Sequence, residues 1–296
     1  MYNMLKSTDP EGIRMISLSR EYVSGRIMKR DRAAHKGDFG KVLIFAGSAG
    51  MAGAAILCGR AALRSGSGLV RFLLPSLDSP LLGILQTAVP EATCVAYSEG
   101  CDLSEYSAIA AGPGLGRETI VRQILADILK RYRGRLVLDA DALNMISSSA
   151  ELTELVLKCE AEITLTPHVG EARRLLGGAS FDYSTDVGRL AAFRTLSEKY
   201  KSVIVLKGAG SLAGTPENTF INTTGNPGMA TGGSGDVLTG IIAALNGQGY
   251  TPADSAAIGM WIHGMAGDLA ADDLGEIGLI SSDIAEYIPD AFKTVY

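Results

Sequence analysis

The sequence predicts one α/β domain, a mostly parallel central sheet with helices packed on both faces. Three observations carry this. Short apolar runs without polar alternation recur along the chain, as in strands buried on both faces of a parallel sheet. Stretches with helical spacing of apolar residues lie between them. Glycine-rich loops follow the runs, which in such sheets puts them all at the ligand-binding edge. No internal repeat or low-complexity linker interrupts the 296 residues. Residues 35–296 therefore read as one domain, preceded by a charged, weakly patterned N-terminal arm over 1–34.

Composition narrows the function classes. Hydrophobic residues make up 47% of the chain, ample for a continuous core. With 27 basic and 32 acidic residues the net charge is −5, which argues against a nucleic-acid or anionic-membrane surface. No apolar run reaches the roughly 18–20 residues that a spanning helix needs, and the first residues lack the apolar core of a signal peptide. Cys58, Cys94, Cys101 and Cys159 show no CxxC spacing, so neither a zinc knuckle nor a redox pair is indicated. Scattered cysteines suit the reduced thiols of a cytoplasmic protein. The three histidines form no HExxH or HxH pair.

In chain order, residues 41–47 read as the first strand. A tight turn over 47–53 follows, then a small-residue helix over 54–65, an order that expects a ligand at the strand's carboxyl end. Neither a Walker A sequence nor GxGxxG is present. Strands follow over 69–75 and 107–112, the second running into the loop GPGLG (112–116) and a helix from about Thr119. A strand over 135–142 ends in Asp139 and Asp141. This pair suits Mg²⁺ bound through water or a substrate hydroxyl, and equally two surface acids or helix caps. The strand over 161–167 hands over to a helix through His168 and Glu171. His168 is read as a ligand contact, and Glu171 as either a partner of the helix dipole or a metal–water ligand. The strand over 202–208 leads into Lys207, Gly208, Ala209, Gly210 and Ser211, a loop suited to a phosphate or adenosine. A hairpin over 211–223 comes next. Helices are expected over 236–246, 252–271 and 281–293, with Trp261 and His263 read as core.

The stretch NTTGNPGMATGGSGDVLTG, residues 222–240, concentrates the chemistry. Glycines at 225, 228, 232, 233 and 235 precede Asp236, and Val237, Leu238, Ile241, Ile242 and Leu245 then recur at helical spacing. Glycine permits close approach of the backbone to a ligand, and a helix N-terminus presents free N–H groups and a positive dipole end. Gly232, Gly233, Ser234 and Gly235 thus form an anion hole with a carboxylate at its rim. A carboxylate repels a phosphate, so Asp236 reads as a base acting on a group that the phosphate will meet.

The segments HKGDFGKVLIFAGSAGMAGA, AGPGLG, LVLDADALN, TLTPHVGEARRLLG, VLKGAGS and NTTGNPGMATGGSGDVLTGIIAALNGQG resemble, in that order, the ADP- or ATP-dependent NAD(P)H-hydrate dehydratases. The resemblance runs from about His35 to Pro289. TPHVGE departs from the TPHPGE of the family, and KGAGS ends in Ser where Thr is frequent. The resemblance implies a ribokinase-like fold and dehydration of (6S)-NADHX and NADPHX to NADH and NADPH. The route it implies is phosphorylation of the C6 hydroxyl by ADP or ATP with Mg²⁺. By motif position, Ala54, Gly114, His168 and Asp236 would contact the hydrate. Lys207 to Ser211 and Gly235 would hold the adenine nucleotide, Asp236 would be the catalytic base, and Glu171 would be a metal ligand through water. A homo-oligomer, with a tetramer as one form, and a separate NAD(P)HX epimerase are the implied partners, the chain resembling the stand-alone dehydratase. The competing reading is a ribokinase-like small-molecule kinase that releases a stable phosphorylated product.

Overall fold

Strands and helices alternate through the computed structural model, which describes residues 14–296. They begin with β1 (Arg14–Ser17), α1 (Arg20–Ser24), β2 (Lys41–Phe45), α2 (Ala52–Arg64), β3 (Leu69–Leu74) and α3 (Leu81–Ala88). Next come β4 (Thr93–Ala96), β5 (Ala108–Ala111), α4 (Thr119–Arg131), β6 (Arg135–Leu138), α5 (Ala140–Ser147) and α6 (Ala150–Lys158). The chain continues through β7 (Glu162–Leu165), α7 (Val169–Leu175), α8 (Asp186–Tyr200), β8 (Val203–Leu206) and the hairpin β9 (Leu212–Thr215) and β10 (Asn218–Ile221). It ends with α9 (Ser234–Gly247), α10 (Pro252–Leu274) and α11 (Ser281–Lys293).

All ten strands join one sheet in the order β1-β10-β9-β8-β7-β6-β5-β2-β3-β4. Among the described strands only β9 runs against its neighbours. The parallel, two-faced sheet expected from the apolar runs is thus present. Val42 and Ile44 point into one core with α2, α9, α10 and α11, while Leu43 and Phe45 point into the other with α4 to α8. This period-two division explains why β2 needs apolar residues at consecutive positions. Each such side chain, fully buried, contributes roughly 1.5–3 kcal/mol.

The structure refines several expectations. The 135–142 strand ends at Leu138, because Asp139 is the extended residue before α5 and Ala140 turns the backbone at φ 47°. Asp139 and Asp141 therefore do not share a strand face. The expected hairpin over 211–223 is present as β9 and β10, and it lies inside the sheet, between β8 and β1. Residues 14–17 of the arm pair with β10 in parallel and form one sheet edge; residues 1–13 lie outside the described residues. The segment α3–β4, which forms the other edge, is absent from the expected elements.

Two packing features aim the chain at one sheet edge. The order reverses between β2 and β5, so the loops after these strands flank a topological switch point. Beneath, α2 and α9 touch so closely that a Cβ on Gly240 would lie 2.2 Å from the Cys58 carbonyl oxygen. Any side chain there would force α9 and α2 apart.

Candidate active site

The loops after β2, β5, β6, β7, β8 and β10 all open at the carboxyl edge of the parallel strands. The loop after β2 is tied to that after β5. Gly47 N–H donates to the Pro113 carbonyl at 2.8 Å, and Ser48 Oγ donates to the Gly114 carbonyl, also at 2.8 Å. Gly114 sits at φ 57°, and a Cβ there would lie 2.8 Å from that of Ala54. The two predicted hydrate contacts from separate motifs, Ala54 and Gly114, are therefore neighbours. Asp141 accepts from Gly116 N–H at 2.9 Å and so fixes this loop.

Deeper in the site, Asp139 is 1% exposed. Its Oδ1 accepts from Lys207 Nζ at 2.6 Å, and its Oδ2 accepts from Thr239 Oγ1 at 2.7 Å. A Cβ on Gly235 would lie 3.1 Å from Lys207 Nζ. The cation from the loop after β8 thus stands beside the first turn of α9. Burial alone would lower the Lys207 pKa, but the Asp139 and Glu171 carboxylates outweigh it and hold the ammonium charged. Gly208 to Ser211 form an exposed turn, closed by Ser211 Oγ donating to the Gly208 carbonyl at 2.8 Å.

His168 and Glu171 build the start of α7. His168 Nδ1 accepts from Gly170 N–H at 2.9 Å, and the Glu171 carboxylate accepts from His168 N–H at 2.8 Å, a reciprocal cap. Glu171 is buried, and its Oε2 lies 4.0 Å from Lys207 Nζ. Burial raises its pKa, opposed by Lys207. The His168 ring is about half exposed, free to meet a ligand at the same edge.

Gly233 precedes α9 at φ 94°, a backbone conformation that strains any other residue, and a Cβ there would lie 2.5 Å from the Leu57 side chain. Ser234, Gly235 and Asp236 form the first turn. Their N–H groups are the ones a helix leaves without intrahelical partners. Asp236 is partly exposed, and its pKa is raised to about 7. Burial is the largest cause; Asp139 adds to it, Lys207 opposes it, and Asp141 and Glu171 add smaller repulsions. A carboxylate that titrates near neutrality beside a helix N-terminus and a lysine is suited to take a proton from a hydroxyl that attacks a phosphoryl group.

Sequence reasoning missed several groups in this neighbourhood. Arg189 of α8 donates to the carbonyls of Ala209 at 2.5 Å and Gly210 at 2.9 Å, clamping the turn after β8. Asp268 of α10 accepts from Gly225 N–H at 2.8 Å and from Asn226 Nδ2 at 3.0 Å, holding the glycine-rich stretch. Trp261 is in the core as expected, whereas His263 is not simply core, since its Nε2 lies 3.3 Å from Ser234 Oγ. None of these is adjacent in sequence to the loop it serves.

Among the described residues no helix is long and apolar enough to cross a membrane. A family model described as NAD(P)H-hydrate dehydratase matches residues 42–290. The chain is 37% identical over 259 residues to the ADP-dependent (S)-NAD(P)H-hydrate dehydratase of Neisseria meningitidis serogroup B, covering 86% of each chain. It is also 37% identical over 290 residues to the bifunctional NAD(P)H-hydrate repair enzyme of Moorella thermoacetica, covering 94% of this chain and 54% of that one. The chain spans about half the length of the bifunctional relatives it matches. In structure it is similar to the ADP/ATP-dependent NAD(P)H-hydrate dehydratase from Bacillus subtilis co-crystallised with ATP/Mg²⁺. That match has a TM-score of 0.81 and 29% identity, and covers 94% of this chain and 98% of that one. A ribokinase-like superfamily protein from Enterococcus faecalis matches with the same TM-score and identity, over 95% of this chain and 96% of that one. The fold is ribokinase-like, as the motifs implied.

Proposed function

The chain belongs to the NAD(P)H-hydrate dehydratase family, and from that premise we propose that it restores NADH and NADPH from their C6-hydrated forms, using ADP or ATP. The observation that carries this is Asp236: a carboxylate with a pKa of about 7 at the N-terminus of α9, beside Lys207. Asp236 takes the proton of the C6 hydroxyl, whose oxygen forms a bond to the terminal phosphorus. The bond from that phosphorus to the bridging oxygen breaks, leaving AMP from ADP or ADP from ATP. The N–H groups of Gly232 to Gly235 and the Lys207 ammonium stabilise the charge on the transferring group. Phosphate is then a far better leaving group than hydroxide. The ring nitrogen's lone pair expels it, and loss of a C5 proton restores the dihydropyridine.

Ala54, Gly114 and His168 line the side expected to receive the hydrate. Lys207 to Ser211 and Gly235 are assigned to the nucleotide. The acids nearby are engaged by the chain: Asp139 with Lys207 and Thr239, Asp141 with Gly116, and Glu171 with His168. This donor set fits Mg²⁺ carried on nucleotide phosphates and water, and Glu171 would be the side chain that holds it through water. When bound, the ion neutralises phosphate charge. The reading includes cytoplasmic location and assembly as a homo-oligomer. A kinase that releases a stable phosphate ester shares the Asp236 chemistry, but no specific feature of the site favours it.

The test is to incubate the protein with hydrated NADH or NADPH, Mg²⁺ and either nucleotide, and to follow the reduced-nicotinamide absorbance. Absorbance should recover with ADP or ATP; no recovery with either would remove the proposal. A second expectation concerns Arg189. Arg189→Ala removes two charge-assisted hydrogen bonds, so the nucleotide KM should rise about 10-fold while kcat stays within about 3-fold. Steady-state kinetics with varied nucleotide reads this, and an unchanged KM would dissociate the clamp from nucleotide binding.

A further inference from the structure

Helix α10 holds the glycine-rich stretch at both ends. Upstream, Thr224 Oγ1 donates to the Trp261 carbonyl at 2.8 Å, and Asp268 receives Gly225 N–H and Asn226. Downstream, His263 meets Ser234, the first residue of α9, with Nε2 3.3 Å from Oγ.

Burial pushes the imidazole pKa down to about 4. A hydrogen bond to the Ser234 backbone opposes this in part, and the Lys207 ammonium reinforces it. The ring is therefore neutral at working pH, with one donor and one acceptor nitrogen. Two arrangements follow. If Ser234 donates its hydroxyl proton to Nε2, that proton is turned away from the anion hole. If Nε2–H donates to Oγ, the proton is free to point where the N–H groups of α9 point. The Nε2–Oγ separation of 3.3 Å accommodates either arrangement, and only the second leaves the serine proton available to an anion at the start of α9.

We propose that His263 is a positioning residue that, as the Nε2–H tautomer, donates to Ser234 Oγ and so presents the serine hydroxyl as a further donor to the phosphoryl group at the start of α9. This rests on the phosphoryl-transfer reading above. His263 acts through Ser234 and makes no contact with the reacting atoms itself. The contact with the phosphoryl group strengthens as charge develops, so its loss appears in kcat rather than in KM.

The experiment uses the full chain with His263→Leu, His263→Gln, Ser234→Ala and the double variant His263→Leu/Ser234→Ala. His263→Leu and Ser234→Ala should each lower kcat about 10-fold with nucleotide KM within about 2-fold. Gln keeps a neutral donor near the Nε2 position and should recover kcat to within about 3-fold of the parent. The double variant should lose no more than either single, because both remove one donor. A His263→Leu variant within about 2-fold of the parent, a Gln variant no better than Leu, or multiplicative losses in the double would each overturn the proposal. Should Leu prevent folding, the Gln and Ser234→Ala variants still decide. Independently of turnover, ¹⁵N chemical shifts of the His263 ring should show the Nε2–H tautomer and move in Ser234→Ala; the Nδ1–H tautomer would overturn the proposal. If the parent repairs no hydrate, the function reading falls while this spectrum still judges the tautomer.

Discussion

Asp236→Asn is expected to lower turnover by about 10²–10⁴-fold, the range for loss of a general base. The substitution keeps size and removes only the ability to accept a proton. Fold and nucleotide affinity should therefore persist, and the loss should appear in kcat. The parent's pH profile gives a second reading. Asp236 must be ionised to act, and its pKa is about 7. kcat/KM should then fall about tenfold per unit below roughly pH 7, and this limb should vanish in the Asn variant. The same group predicts a stability effect of the opposite sense. Its folded pKa lies above the 3.8 of the free side chain, so the folded state binds the proton more tightly. Ionisation thus costs stability, and the cost grows as pH rises from about 4 to 7 and then levels off. Asp236→Asn relieves it, so the variant should gain on the order of a few kcal/mol over the parent at pH 8 and little at pH 4. Urea unfolding at both pH values measures this. Near-parental turnover in the Asn variant would remove Asp236 from the mechanism, and an equal stability difference at both pH values would remove its raised pKa.

Those two effects together mark a residue kept for chemistry at the expense of stability. They also show what was readable beforehand. The loops were legible because strand, glycine turn and helix each leave a local pattern. The six expected strands of the parallel sheet and helix α11 lie within a few residues of their predicted bounds. What failed depends on partners distant in sequence. Thr93–Ala96 is a short, half-exposed edge strand whose apolar signal is too brief to separate from a loop. Arg14–Ser17 becomes a strand only because β10 supplies its hydrogen-bonding edge. Asp139 looked like half of an acidic pair with Asp141, but its true partner is Lys207, 68 residues away. His263 looked like core because its helix is apolar; only the docking of α10 against α9 turns its ring to Ser234.

Lys207→Met should be the most destabilising single change in the site. The ammonium is the counter-charge to Asp139, which is 1% exposed, and to Glu171, which is 4% exposed. Removing one partner of a buried ion pair leaves an uncompensated charge, which costs about 3–5 kcal/mol. Methionine fills the space, so the loss reports charge rather than a cavity. The orphaned carboxylates can escape by binding protons, so the deficit should be full at pH 8 and shrink towards pH 5. Adding Asp139→Asn should return part of it, since the amide still accepts from Thr239 without carrying a charge. Lys207 also lowers the Asp236 pKa. Its removal should move the acid limb of kcat/KM to higher pH, in addition to weakening the contact with the transferring phosphoryl group. Denaturant unfolding of the single and double variants, with pH–rate profiles on the single, reads all three effects. A loss under about 1 kcal/mol with an unmoved acid limb would mean that the ion pair neither holds the sheet edge together nor tunes the base.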